Sequence, residues 1–184
     1  VTEHIREDEE LRSSLDEAER RLSGSGRDRL GDLHGATPVM EEVYRQIGLA
    51  AQTDRIVLLH GETGTGKELA AHAIHDLRGK GEFIAINCGN VAESLLESEL
   101  FGHTKGAFTG ATVDKKGLFE VAGSGVIFLD EIEAAPPQMQ TALLRVLDTR
   151  EVVRVGGSKP IPVKAKIVAA TNRDLAEMVT RGVF

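Results

Sequence analysis

The residues Gly61-Glu62-Thr63-Gly64-Thr65-Gly66-Lys67 fit the pattern G-x-x-x-x-G-K, and the chemistry of that pattern is phosphate binding. Its glycines let the backbone turn until successive N–H groups point inward at an anion. A helix starting at its end adds the positive end of a dipole, and Lys67 supplies a cation to the β- and γ-phosphates of a nucleoside triphosphate. One position departs from the generic pattern. Where a Ser or Thr would offer its hydroxyl to Mg2+, this chain has Glu68. That charge repels phosphate unless it is turned away, so Mg2+ must lean on another carboxylate.

A second stretch provides one. Val126-Ile127-Phe128-Leu129 is an apolar run of strand length that ends in Asp130 and Glu131, and open α/β sheets bind ligands at the C-terminal ends of their strands. Asp130 is expected to hold Mg2+, directly or through water, and Glu131 to orient or deprotonate the water that attacks the γ-phosphate. Alone, Asp-Glu after an apolar run is an ordinary strand end; downstream of a phosphate loop it reads as a hydrolytic site. Asn172 closes the next strand, where it could bond the γ-phosphate or the attacking water. Asn87 closes the strand before, where it could hold Glu131 off the water until a partner arrives. Taken without that context, either asparagine is equally a turn residue.

Gly106-Ala107-Phe108-Thr109-Gly110-Ala111 carries no catalytic group. Its glycines predict a mobile loop that displays Phe108 and Thr109, and composition alone leaves Phe108 either a contact residue or a core residue. His72 and His75 have neither an HExxH pattern nor a neighbouring cysteine pair and read as surface positions on a helix. Cys88 reads as a small buried hydrophobe.

These groups need strands and helices to place them. Thr37-Pro38 opens a helix on which Met40, Val43, Ile47 and Ala50 recur at helical spacing. Residues 55–60 read as a strand, followed by the phosphate loop and a helix with Leu69, Ala70, Ala73, Ile74 and Leu77 on one face. Residues 83–87 form the next strand, and Asn90 to Glu93 a capping-box start to a helix that stops near Gly102. A buried strand over 126–130, a helix over 137–147 and a strand over 167–171 complete the alternation. Continuous apolar strands alternating with helices imply a parallel sheet covered on both faces. Two stretches interrupt it. Residues 102–117 are polar, glycine-rich and aperiodic, and Val152 to Val155, Gly156-Gly157 and Ile161 to Val163 predict a hairpin with a Gly-Gly turn and a proline-blunted edge.

At the N-terminus, Leu11, Leu15, Ala18 and Leu22 mark a seam of barely two heptads in a densely charged segment. It reads equally as a short coiled coil or a solvated linker helix. Ser23-Gly24-Ser25-Gly26 is a flexible joint. The expected organisation is a linker and joint over 1–26 and an α/β domain over 27–184. A length of 184 residues suits about one domain with a short appendage. No apolar run approaches the roughly 18 residues of a membrane span, and the acidic N-terminal residues lack the basic and apolar regions of a secretory signal. One cysteine cannot form an internal disulfide, which suits a cytoplasmic location. The net charge is −7, with no basic stripe and no Trp, so this chain is not expected to read DNA itself.

Together, Gly61 to Glu68, Glu99-Leu100-Phe101-Gly102-His103, Gly106 to Ala111, Phe128 to Ile132, Arg154-Val155-Gly156-Gly157 and Ala170-Thr171-Asn172-Arg173-Asp174 resemble the central AAA+ domain of bacterial enhancer-binding proteins, the activators of sigma-54 RNA polymerase. Glu68, a departure from the generic phosphate loop, is what this family carries, and the GAFTGA loop is more diagnostic still. The resemblance implies a three-layer α/β/α P-loop NTPase with a mainly parallel sheet. Its ATPase, with ATP and Mg2+, assembles into a ring, usually a hexamer, and remodels the closed complex of the sigma-54 RNA polymerase holoenzyme. Phe108 and Thr109 would be the sigma-contacting tip, and the hairpin around Gly156 a second loop beside it. Asn87 and Glu131 would be a switch pair and Asn172 the first sensor. DNA would be met only through a further C-terminal domain, and no membrane is implied. The family pattern continues past Phe184 with arginines that reach a neighbour's site, a last strand and a helical lid, none of which lies within these residues. An arginine finger contributes roughly 10³–10⁵ in rate, so weak turnover is expected, with residues 55–60 as an apolar edge prone to self-association. Another AAA+ remodelling ATPase, or a nucleotide-binding module without turnover, are the alternatives.

Overall fold

Short apolar runs alternating with amphipathic stretches produce, in the computed structural model, an α/β arrangement described over residues 28–89 and 93–184. The expected linker and joint over 1–26, and the capping-box residues 90–92, lie outside the described residues. The described residues divide into two compact units, one of residues 28–55 with Glu68–Gly79 and one of Ile56–Lys67 with Lys80–Phe184.

The first unit holds β1 (Arg29–Leu30) paired antiparallel with β2 (Leu33–His34), and α1 (Pro38–Gln52). Thr37 caps α1, its side-chain oxygen accepting from the Met40 amide, and Pro38 stands in the first turn, where its missing N–H costs nothing. Tyr44 buries its ring and donates its hydroxyl to the carbonyl of Gly35 at 3.1 Å. Arg78, near the end of α2 (Lys67–Arg78), donates to the carbonyls of Ala51 and Thr53 and to the Asp54 carboxylate. Ala70, Ala73 and Ile74 of α2 are buried and His72 is exposed, as the spacing of that helix predicts, whereas Leu69 of the predicted face is 39% exposed and Ala71, off that face, is fully buried.

The second unit is built on a four-stranded sheet of β3 (Val57–His60), β4 (Phe83–Asn87), β7 (Val126–Asp130) and β10 (Lys166–Thr171), in the order β3-β10-β7-β4. Every pair is parallel. The run with the most continuous apolar character becomes the most buried strand: Val126 to Leu129 are at most 2% exposed. β3 lies at an edge and begins two residues later than its apolar run suggested; it alternates half-buried and exposed, with Leu58 51% exposed. The core gathers on these strands from α3 (Glu93–Phe101), α4 (Leu118–Val121) and α5 (Pro137–Thr149), where Phe101 stacks on Phe119 with ring centroids 5.8 Å apart. A 3-10 turn over Ile132–Ala134 follows β7, and α6 (Leu175–Thr180) follows β10.

Both interruptions of the alternation form ladders. Residues 102–117 are a hairpin, β5 (Gly102–His103) antiparallel to β6 (Lys115–Lys116). The other is β8 (Glu151–Val153) antiparallel to β9 (Pro160–Pro162), and here the expected tight Gly-Gly turn is corrected. Residues 154–159 all lie in the connection, because Val155 leaves the hairpin to bridge His103. Among the described residues no helix is long and apolar enough to cross a membrane.

Candidate functional site

The ends of the four parallel strands place the predicted groups side by side. β3 runs into the loop 61–66, and the Gly61 amide still donates to the carbonyl of Thr171 at the end of β10, at 3.2 Å. Gly64 and Gly66 turn the loop at φ of 83° and 87°, a left-handed backbone that costs an L side chain free energy. A Cβ on Gly64 would meet nothing within 4 Å, so conformation and not crowding requires glycine there. Lys67 folds its ammonium back over the loop, donating to the carbonyls of Gly61 at 2.8 Å and Glu62 at 2.9 Å. Thr65 donates its hydroxyl to the Glu62 carbonyl at 2.8 Å. Glu62, Thr63 and Glu68 are exposed.

β7 delivers Asp130 half-buried out of its apolar run, and Asp130 Oδ1 accepts from the Glu131 amide at 3.0 Å. Glu131 has φ 51° and ψ 48°, an uncommon conformation for a non-glycine residue that turns the chain sharply off the strand. Asn87 pairs in register with Asp130 across the sheet. Its Oδ1 accepts from the Gly89 amide at 2.9 Å, and a Cβ built on Gly89 would lie 2.8 Å from Glu131 Oε2 and 3.4 Å from that same Asn87 oxygen. The two side chains therefore meet at one glycine. Among the described residues the Asn87 oxygen bonds the Gly89 amide, and its closeness to Glu131 is through that glycine.

Asn172, just past β10, donates its side-chain amide to Thr63 Oγ1 at 3.2 Å and its backbone N–H to Glu133 Oε1 at 3.4 Å. Glu133 was not legible as a site residue: in the sequence it is one more acidic side chain after Asp-Glu. The structure brings it to the site because the 3-10 turn folds it back toward the end of β10. Cys88, buried as expected, donates its amide to the Asp130 carbonyl. Burial pushes its thiol up to about 12, and the charges of Asp130, Glu133 and Glu131 add to the effect. The thiol therefore stays protonated at neutral pH. Among the described residues no three His, Cys, Asp or Glu side chains group into a metal site. The Asp130 carboxylate at the strand end fits Mg2+, which takes one or two carboxylates and completes its shell with phosphate oxygens and water.

A second constellation lies in the two hairpins. Within the loop 106–111, the Gly106 amide donates to the Ala111 carbonyl at 2.8 Å and the Ala111 amide to that of Phe108 at 3.0 Å, closing a tight turn. Ala111 is buried and Ala107 half-buried, while Gly106, Thr109 and Gly110 are exposed. Phe108 is 45% exposed, its ring edge-on to His103 with centroids 4.9 Å apart, which makes it a surface side chain resting on a buried ring. His103 Nδ1 in turn lies 2.8 Å from Ser98 Oγ. The hairpins are joined by the Thr104 amide on the Val155 carbonyl and the Val155 amide on that of Gly102. Gly156, at φ 75°, comes so close that a Cβ there would stand 2.7 Å from Ala107 Cβ. Arg154 grips Glu120 with two bonds of 2.8 and 2.7 Å. The guanidinium holds the Glu120 carboxyl below the usual carboxylate range and is itself raised by it.

With this geometry in place, comparison with known proteins places the chain. Residues 33–184 match the family model described as Sigma-54 interaction domain. The Nif-specific regulatory protein of Rhodobacter capsulatus is 56% identical over 157 residues, covering 84% of this chain and 27% of that protein. The DNA-binding transcriptional regulator NtrC of Azospirillum brasilense is 51% identical over 154 residues, covering 83% of this chain and 32% of the relative. This chain thus spans about a quarter to a third of the length of these curated relatives. Among solved structures, NtrX from Brucella abortus in complex with ATP superimposes with a TM-score of 0.73 at 32% identity, covering 91% of this chain and 38% of that one. The same protein in complex with ADP gives 0.72 at 33% identity, over 83% of this chain and 33% of that one. A phosphate loop, an Asp-Glu strand end and a following asparagine on one parallel sheet, with a GAFTGA hairpin in the same unit, matched along this length, make the chain a member of the sigma-54 interaction domain family, with its α/β P-loop NTPase fold.

Proposed function

We propose that the chain is the ATP-binding and ATP-hydrolysing core of a sigma-54-dependent transcriptional activator, and that it remodels the sigma-54 RNA polymerase closed complex through the GAFTGA loop. The observation that carries this reading is the convergence of Lys67, Asp130, Glu131, Asn87 and Asn172 at neighbouring strand ends, on a unit that also presents Phe108 and Thr109 on a braced hairpin. The ATP and ADP complexes of NtrX support it.

The loop 61–66 turns its amides onto the phosphates, and Lys67 exchanges its two carbonyl partners for phosphate oxygens, whose negative charge its ammonium attracts. Asp130 holds Mg2+, which when bound neutralises charge on the transferring phosphoryl group. Glu131 aligns the attacking water and accepts its proton. Asn172 bonds the γ-phosphate or that water, and Asn87 reports the position of Glu131 through Gly89. In the longer protein the chain assembles into a ring, usually a hexamer, and meets DNA through a separate domain.

The test is capture of purified sigma-54 by the chain loaded with Mg·ADP and a fluoride mimic of the transferring phosphate, with Thr109→Ala alongside. Retention on a native gel by the parent chain and its loss in Thr109→Ala is the expected result. Equal retention by both would overturn the loop assignment, and a parent chain that binds no nucleotide would overturn the site.

A further inference from the structure

Asn172 stands beyond the last laddered residue of β10 and is exposed. Thr171 shapes the corner with its own side chain, its hydroxyl accepting from the Arg173 amide at 3.0 Å. What holds Asn172 itself is Glu133, whose Oε1 accepts its backbone N–H, and Thr63, whose hydroxyl accepts its side-chain amide. Glu133 is well founded for such a task. It lies in a turn closed by the Ala134 amide on the Glu131 carbonyl at 2.8 Å and the Ala135 amide on that of Ile132 at 3.1 Å, with Ile132 buried in the core. Its second oxygen is shielded from solvent and has no partner among the described residues. A buried acceptor left unpaired costs free energy, and the bond that Glu133 does make, on its other oxygen, is to the Asn172 N–H.

We infer that Glu133 is a positioning residue: by holding the Asn172 backbone to the turn after β7, it fixes the Asn172 amide over the phosphate loop and so sets how strongly the site separates a nucleoside triphosphate from a diphosphate. The inference rests on the nucleotide-site reading above. A chain without this tether leaves Asn172 on the Thr63 contact alone, which the phosphate loop carries with it whichever nucleotide is bound.

The chain has asparagine only at 87, 90 and 172, so asparagine-selective ¹⁵N labelling gives three backbone amides to follow by NMR. Glu133→Ala and the near-isosteric Glu133→Met are expected to shift the Asn172 amide and to speed its hydrogen exchange about tenfold, the equivalent of one bond of roughly 1.4 kcal/mol. The Asn87 amide stays in place. Glu133→Gln, which keeps an oxygen, restores both. In calorimetric titration with Mg2+, the parent chain prefers a slowly hydrolysed ATP analogue to ADP. Ala and Met at position 133 lose most of that preference while ADP affinity holds, and Gln regains it. A preference that survives in both Ala and Met overturns the inference and leaves the nucleotide site standing, as does a parent chain that binds both nucleotides equally. A parent chain that binds neither overturns the site and the inference together. Glu133→Met guards against a cavity effect in Glu133→Ala, because it fills the same space without an acceptor.

Discussion

Asn87, Asp130, Glu131 and Asn172 each sit on or one residue past a parallel strand, with Val126 to Leu129 of β7 almost wholly buried, and Lys67 folds back over its loop onto Gly61, the residue after β3. In the paired hairpins, ladders of only two and three residues support the whole display, and the loops meet through a few backbone bonds, the Thr104 hydroxyl on the Val155 carbonyl, and the close approach of Gly156 and Gly157. The contrast is one of local stability. Groups rooted in a packed sheet are pre-organised, whereas exposed turns with few buried contacts can open at a fraction of the global unfolding free energy. A site that must align water and phosphate suits the first kind of support; a loop that must change its contacts with a partner suits the second.

The largest test of that contrast is Lys67→Ala. Among the described residues its ammonium bonds only loop carbonyls, so stability should hardly change, while ATP affinity falls about 10- to 100-fold for the loss of charge-assisted contacts. Titration beside a melting curve checks both halves; a large loss of melting temperature would show that the loop is not independently braced. Next is Gly156→Val. A β-branched residue at φ 75° against Ala107 should cost the loop pair about 2 kcal/mol, read as roughly 30-fold faster hydrogen exchange at the Thr104 and Val155 amides. Nucleotide affinity should stay within twofold, and a matching loss there would break the comparison.

Gly89→Ala probes the rigid end. Its methyl group would push on Glu131 Oε2, so phosphate release should fall about tenfold with ATP binding kept, because a small misplacement of a reacting group is costly. The smallest effect is expected from Glu120→Gln, a loss of about 1 kcal/mol at neutral pH for the charge in the Arg154 pair. Glu120 titrates below its ordinary range when folded, so its contribution is complete above that range and is lost as pH falls through the lowered value. The melting-temperature gap between parent and variant should therefore close on acidification; a gap independent of pH would mean that packing, not the ion pair, holds the second hairpin.

Much of this was legible beforehand. The four strands of the sheet, the phosphate loop between strand and helix, and the half-acidic end of β7 follow from apolar runs and glycine spacing that encode local structure. Three features were not. The Val152 to Val163 region read as a tight hairpin because Gly156-Gly157 is a turn signal, yet Val155 is taken by His103, fifty-two residues earlier in the chain. Gly89, the glycine at which Asn87 and Glu131 meet, carried no motif signal. Glu133 carried no signal at all, since a lone acidic residue in a turn is usually solvated.

By itself the sequence determined the chemistry available and the elements that carry it, because hydrophobic period, glycine placement and motif spacing act over a few residues. Only the tertiary structure decided which groups share a neighbour. The glycine at which Asn87 and Glu131 meet and the tether from Glu133 to Asn172 each join segments brought together by parallel pairing of strands distant in sequence. Such contacts depend on register and packing geometry, which no local pattern of residues encodes.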